Sequence, residues 1–241
     1  MFGVQGRVVA AITLRATLGR KRALLFALPP LVLILVAALL AVASPDDASW
    51  PVQLMKSFGL FVVLPLTALI IGTSVVGAEI DDGSIVHLLA TPVPRGVVIA
   101  AKYAVAVALT VLFAAVPELV GGLIAAGPRF GAGLFAGAVA GSVIYSAIFV
   151  LLSVLTRRAV AVGLGYVLLW EGLLGNLVGG ARLLSAGQYS LGIAAAIVRR
   201  PALDPRLGLA TSLVMGVLVT AVALAVATRR LGSFALKGEP A

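Results

Sequence analysis

The chain has 241 residues, 61% of them hydrophobic and 11% charged, and a mean hydropathy of +1.17. That is too apolar for a soluble globule and places it among polytopic membrane proteins. A net charge of +9 does not make it a nucleic-acid binder, because the basic residues are scattered among the loops without interleaved aromatics; no cysteine and a single histidine, His87, exclude disulfides, thiolate metal sites and a histidine metal cage.

A hydrocarbon core about 30 Å thick takes about 20 helical residues, and several stretches reach that length without a fixed charge. In lipid they must be helices, since the period-2 alternation of a barrel is absent. The expected fold is an all-α polytopic membrane protein with six transmembrane helices. Residues 1–23 carry Arg7, Arg15, Arg20, Lys21 and Arg22, with Val4, Val8, Ala11 and Ile12 on one helical face, which predicts an interfacial helix on the inner leaflet.

The first span is expected over 24–43. Ala41-Val42-Ala43 imitates a signal-peptidase site, but the basic region before it is long, which favours an uncleaved span. An outer loop at 44–51, with Asp46, Asp47 and Trp50, leads to a second span at 54–77, where Lys56 can snorkel at the outer end. The third span is expected at 103–126, directly after Lys102, followed by a turn at 127–131 and a fourth span at 134–155. Gly133, Gly137 and Gly141 put a flat strip on that helix, suited to close packing within the chain or between two copies.

The fifth and sixth spans are expected at 159–178 and 207–227. Between them, Leu183-Leu184 and residues 191–198 are apolar but too short to cross, which fits re-entrant or interfacial outer segments. Residues 24–228 thus form one six-span domain, and 229–241 a tail. With the N-terminus inside, twelve Lys and Arg fall on the inner side and six on the outer. The positive-inside rule then puts both termini in the cytoplasm of a multi-pass plasma-membrane protein, although Arg199 and Arg200 run against it. The remaining basic residues are suited to contacts with lipid headgroups.

The polar stretch from Glu79 to Lys102, EIDDGSIVHLLATPVPRGVVIAAK, stands out between two long apolar runs. Asp81 and Asp82, just before Gly83 and Ser84, can cap exposed backbone amides and face the positive end of a helix dipole. Ile85, Leu88 and Leu89 recur at i, i+3 and i+4 until Pro92 and Pro94 forbid continuation. The result is a helix of about 10 Å that cannot span a bilayer and whose leucines want a groove, either in another protein or among the chain's own helices.

The order Glu79, Asp81, Gly83-Ser84-Ile85, Leu88-Leu89, Thr91-Pro92-Val93, Arg95, Lys102 resembles the coupling-helix signature of type-2 ATP-binding-cassette permeases. Asp81 stands where that family often has glutamate, Ser84 where it often has threonine, and Ile80 where a basic residue is common. The resemblance implies an N-terminal elbow helix before the first span, a coupling helix at about 79–95 between spans two and three, and outer helical elements between spans five and six.

It also implies a permease subunit that works in a pair, expected to be a homodimer, with separate cytoplasmic ATPases that bind ATP and Mg. The expected activity is export of a hydrophobic or amphipathic substrate, such as a drug, antibiotic or lipid-like molecule. No GxxxxGK[ST] phosphate loop is present, so this chain carries no ATPase motif and is expected to be neither an enzyme nor a cofactor binder itself. A rival expectation is a membrane anchor that recruits a soluble partner through the same cytoplasmic helix without moving a substrate.

The ATPase-coupling residues are therefore expected to be Glu79, Asp81, Asp82, Gly83, Ser84, Ile85, Leu88, Leu89, Pro92 and Arg95, with Glu79 placed to anchor the short helix through Arg95 or a basic residue of the partner. Arg95 and Lys102 are alternatively headgroup anchors. Two acids fall inside predicted spans, Glu118 after Pro117 and Glu171 after Trp170. A charge at mid-membrane costs about 3 kcal/mol on insertion scales, so each should face protein, water or a partner. Both are candidates for a substrate path, and both are also readable as protonated or hydrogen-bonded ties between helices, Glu118 the more so.

Overall fold

The computed structural model describes residues 4–18, 20–43, 49–81, 94–174, 181–199 and 203–237, and every long element among them is helical. We number them α1 (Val4–Thr17), α2 (Arg20–Ala43), α3 (residues 49–81), α4 (Arg95–Ala126), α5 (Pro128–Leu155), α6 (residues 159–174), α7 (Ala186–Val198) and α8 (Leu209–Lys237). Five of these are long and apolar enough to cross a membrane: α2, α3, α4, α5 and α8. The segment expected as the fifth crossing is α6, described over 159–174; the rest of that expected span, 175–178, lies outside the described residues. The last nine residues of α6, Tyr166–Leu174, are wound as a π-helix.

Proline chemistry shapes α3 and α4 in the same way. Pro65 follows the π-helical stretch Met55–Val63, and Pro117 follows Val111–Ala115, each two residues on. A proline offers no amide to the carbonyl four residues back, and the chain widens so that the residue before it bonds five back: Leu64 to Gly59, and Val116 to Val111.

Several expected boundaries move. The second crossing starts at Ser49 rather than 54, because Pro51 sits in the first turn, where a missing amide costs nothing. The third begins at Arg95 rather than 103: extended Pro94 ends the connection, and the polar Lys102 lies inside the helix. The turn expected at 127–131 shrinks to Gly127 alone, with φ +88°, and α5 starts at Pro128 instead of 134. A Cβ on Gly122 would lie 2.7 Å from the Gly131 Cα, so this hairpin closes on glycine backbone.

Helix α5 is the hub, flanked by α3, α4, α7 and α8. Its glycine strip is used within the chain. Gly133 faces Val198 and Ala194 of α7, Gly137 faces Ser190 and Ala194, and Gly141 faces Ser190 and Leu64. The numbering runs in opposite directions, so α7 lies antiparallel to α5 with its Ser185 end furthest from Pro128. At 13 residues α7 is about 20 Å long, an apolar helix too short to cross, buried where the sequence predicts such an element. Arg129 donates to the Ile197 carbonyl at 3.0 Å and secures its far end.

The core divides into two clusters. One gathers around Leu64, Leu134, Tyr145, Phe149 and Tyr189, the other around Ile71, Val75, Ile99, Val150 and Val154. On α1 the residues facing protein are Val9, Thr13 and Thr17, whereas Val8 and Ile12 of the expected apolar face point outward, more than half exposed. Helices α2 and α8 are peripheral. Leu28, Leu31, Leu35 and Leu39 on the first, and Leu213, Val214 and Val217 on the second, remain uncovered, as suits surfaces that meet lipid or another membrane chain.

Candidate functional site

Of the expected coupling residues, Asp82, Gly83, Ser84, Ile85, Leu88, Leu89 and Pro92 lie outside the described residues, as does His87. Glu79 and Asp81 fall in the last turn of α3, and Arg95, half-buried, opens α4. The two roots of the stretch are therefore the ends of α3 and α4, and these helices touch along their lengths.

The sequence treats Lys102 as a surface residue, but its side chain is 1% exposed and its Nζ donates to the Val75 carbonyl of α3 at 2.7 Å. Headgroup anchoring is thus ruled out for Lys102. Beside it, Ser153 of α5 donates to the Phe149 carbonyl at 2.7 Å and to the Gly72 carbonyl at 3.3 Å. A Cβ at Gly72 would meet the Phe149 Cβ at 2.8 Å, so α3 and α5 pack at close range there.

Glu171 is 1% exposed and surrounded by donors. Its Oε1 accepts from the Tyr166 hydroxyl at 2.9 Å and the Ala186 amide at 2.9 Å; its Oε2 accepts from the Ser185 hydroxyl at 2.5 Å and the Gly187 amide at 3.3 Å. The carboxylate therefore sits on the N-terminus of α7, where free amides and the helix dipole favour a negative charge. Ser185 is the cap, its Oγ accepting from the Gln188 amide at 3.2 Å. Trp170 ties the same region to the Leu184 carbonyl at 3.2 Å, and Tyr189 donates to the Leu183 carbonyl. Behind the acid, Tyr145 stacks on Phe149 at 6.0 Å, and Phe149 meets Tyr166 edge-on at 6.2 Å.

Glu118 is equally buried, yet neither oxygen has a hydrogen-bond partner among the described residues. It follows Pro117, and its carboxyl lies on Gly59 in the π-helical stretch of α3, where an added Cβ would stand 2.7 Å from the Glu118 Cδ. Next to it, Gly121 leaves room for Met55, whose Sδ would be 2.7 Å from a Cβ there. Two glycines and two proline-widened turns thus make the pocket that holds the carboxyl between α3 and α4.

Residues missed from sequence are Ser185, Tyr166, Gly59 and the inward direction of Lys102. Only Ser185 carried a readable signal, since Ser185-Ala186-Gly187-Gln188 has the S-x-x-Q spacing of a capping box.

A comparison with curated proteins finds no match. The model of one family, described as ABC-2 family transporter protein, matches residues 18–172. That stretch runs from the root of α2 through the 79–102 segment and both buried acids to near the end of α6, well over half of the sequence. An all-helical bundle with five membrane-length helices, carrying this match over most of its length, belongs to the ABC-2 transporter family and is a multi-pass permease subunit.

Proposed function

We propose that the chain is the membrane half of an ATP-driven exporter, with residues 79–95 forming a coupling helix gripped by a separate cytoplasmic ATPase that binds ATP and Mg. The observation that carries this reading is the placement of the stretch. It lies within the family match and joins the two helices that Lys102 holds side by side, so force applied there reaches the bundle through both. Ile85, Leu88 and Leu89 supply the apolar face, and Asp81, Asp82, Gly83 and Ser84 its start. Both termini lie in the cytoplasm.

Two copies form the transport unit, and the uncovered leucines of α2 are suited to meeting a second copy or lipid. The substrate is hydrophobic or amphipathic, in keeping with an apolar bundle that presents few polar groups to it. Of the two acids, Glu171 is saturated by four donors, which supports the interhelical tie. Glu118, packed against Gly59 with no donor to its carboxyl among the described residues, is the stronger candidate for a substrate path.

Co-expression with the associated ATPase tests the reading. The complex is expected to co-purify and to hydrolyse ATP faster when substrate is added; Leu88→Asp with Leu89→Asp should abolish co-purification, since two buried leucines are worth about 3 kcal/mol or more. A wild-type complex with no substrate-stimulated turnover would instead favour a non-transporting anchor.

A further inference from the structure

We infer that Lys102 is the positioning residue that locks α3 to α4 above the 82–93 stretch, so that the two helices move as one arm when that stretch is pushed. The inference rests on the proposed permease function for its consequence, but on geometry for the lock itself. Val75 stands six residues before Asp81 and Lys102 seven after Arg95, so the bond closes two helical arms of nearly equal length, about 9 and 10 Å. It bridges 27 positions of sequence and is buried among Ile71, Val76, Val98, Ile99, Val105 and Ala106.

In such surroundings water does not compete for the ammonium, and a charge-assisted bond to a carbonyl is strong. Packing alone does not account for a lysine here. A methionine would fill similar space at far lower cost inside a membrane, so the cation is present for the bonds it makes. One turn further from the coupling stretch, Gly72 fastens the same helix to α5 through Ser153. The arm is thus fastened to α5 one turn beyond the lock.

The test uses the absence of cysteine from the natural chain. Gly77→Cys and Gly96→Cys place single spin labels on the two arms. Among the described residues, no atom lies within 4 Å of a Cβ at Gly77 and only the Thr228 methyl, at 3.8 Å, lies near one at Gly96. In the full-length chain in lipid nanodiscs the label-to-label distance distribution should be narrow, should widen about twofold in Lys102→Met, and should stay narrow in Lys102→Arg, which keeps a donor.

In the complex with its ATPase, Lys102→Met should still bind the ATPase but lower transport per ATP about tenfold, with Lys102→Arg restoring at least half. Equal widths in wild type and Lys102→Met, or a Lys102→Arg that behaves like Lys102→Met, overturn the lock. If Lys102→Met does not accumulate, the wild-type pair decides: its distance must be unchanged between nucleotide-free and nucleotide-bound complexes, and a shift overturns the inference. A narrow, Lys102-dependent distance in a chain that binds no ATPase would leave the lock standing and refute the permease coupling, so the two failures are separable.

Discussion

Glu118 and Glu171 are buried to the same degree, each a single acid in an apolar helix, yet their surroundings are opposite. Glu171 has four donors, three of them from the start of α7, and so ties that short helix to α6. Glu118 rests on a glycine, with no donor among the described residues. Burial therefore says little about what an acid does in a membrane; the number of donors aimed at it says much more. The first acid is bonded from two helices at once, while the second is a carboxyl held in a glycine-lined gap with no donor among the described residues.

The same substitution at both positions should separate them. Glu171→Met orphans two backbone amides and two hydroxyls and is expected to cost about 3 kcal/mol or more, seen as a large fall in thermal midpoint or in folded yield in detergent. A smaller loss is expected for Gly59→Ala, about 1 to 3 kcal/mol, because the new methyl overlaps the Glu118 carboxyl. Combining it with Glu118→Ala should recover at least half of that loss, which a double-mutant cycle on thermal midpoints would register.

The smallest effect is expected from Glu118→Met alone, within about 1 kcal/mol of wild type and stabilising in direction, since an unpartnered buried carboxyl gives way to an apolar side chain of similar size. Comparable losses for the two Glu→Met variants would dissolve the contrast.

The sequence singled out both acids but not how their surroundings differ, and the reason is physical. Three of the four donors to Glu171 come from residues 14 to 16 positions away, after a connection whose course hydropathy does not reveal. The glycine under Glu118 lies on another helix altogether. Lys102 was misplaced for a related reason: a lysine next to a polar stretch reads as surface, and only the approach of α3 turns it inward.

Features governed by local chemistry were legible. Apolar run lengths gave the long helices, Gly133, Gly137 and Gly141 announced a close helix partner, and the short apolar run at 191–198 lay where α7 is found. Span boundaries shifted where proline starts a helix, at Pro51, Pro94 and Pro128, because runs of hydropathy do not register caps.

The central claim is that the stretch between α3 and α4 is the handle an ATPase grips. Leu88→Cys in the otherwise cysteine-free chain tests it directly through labelling by a membrane-impermeant maleimide. The expected result is labelling from the cytoplasmic side only, lost when the ATPase is bound. Labelling from the outer side, or labelling that the ATPase leaves unchanged, would contradict it.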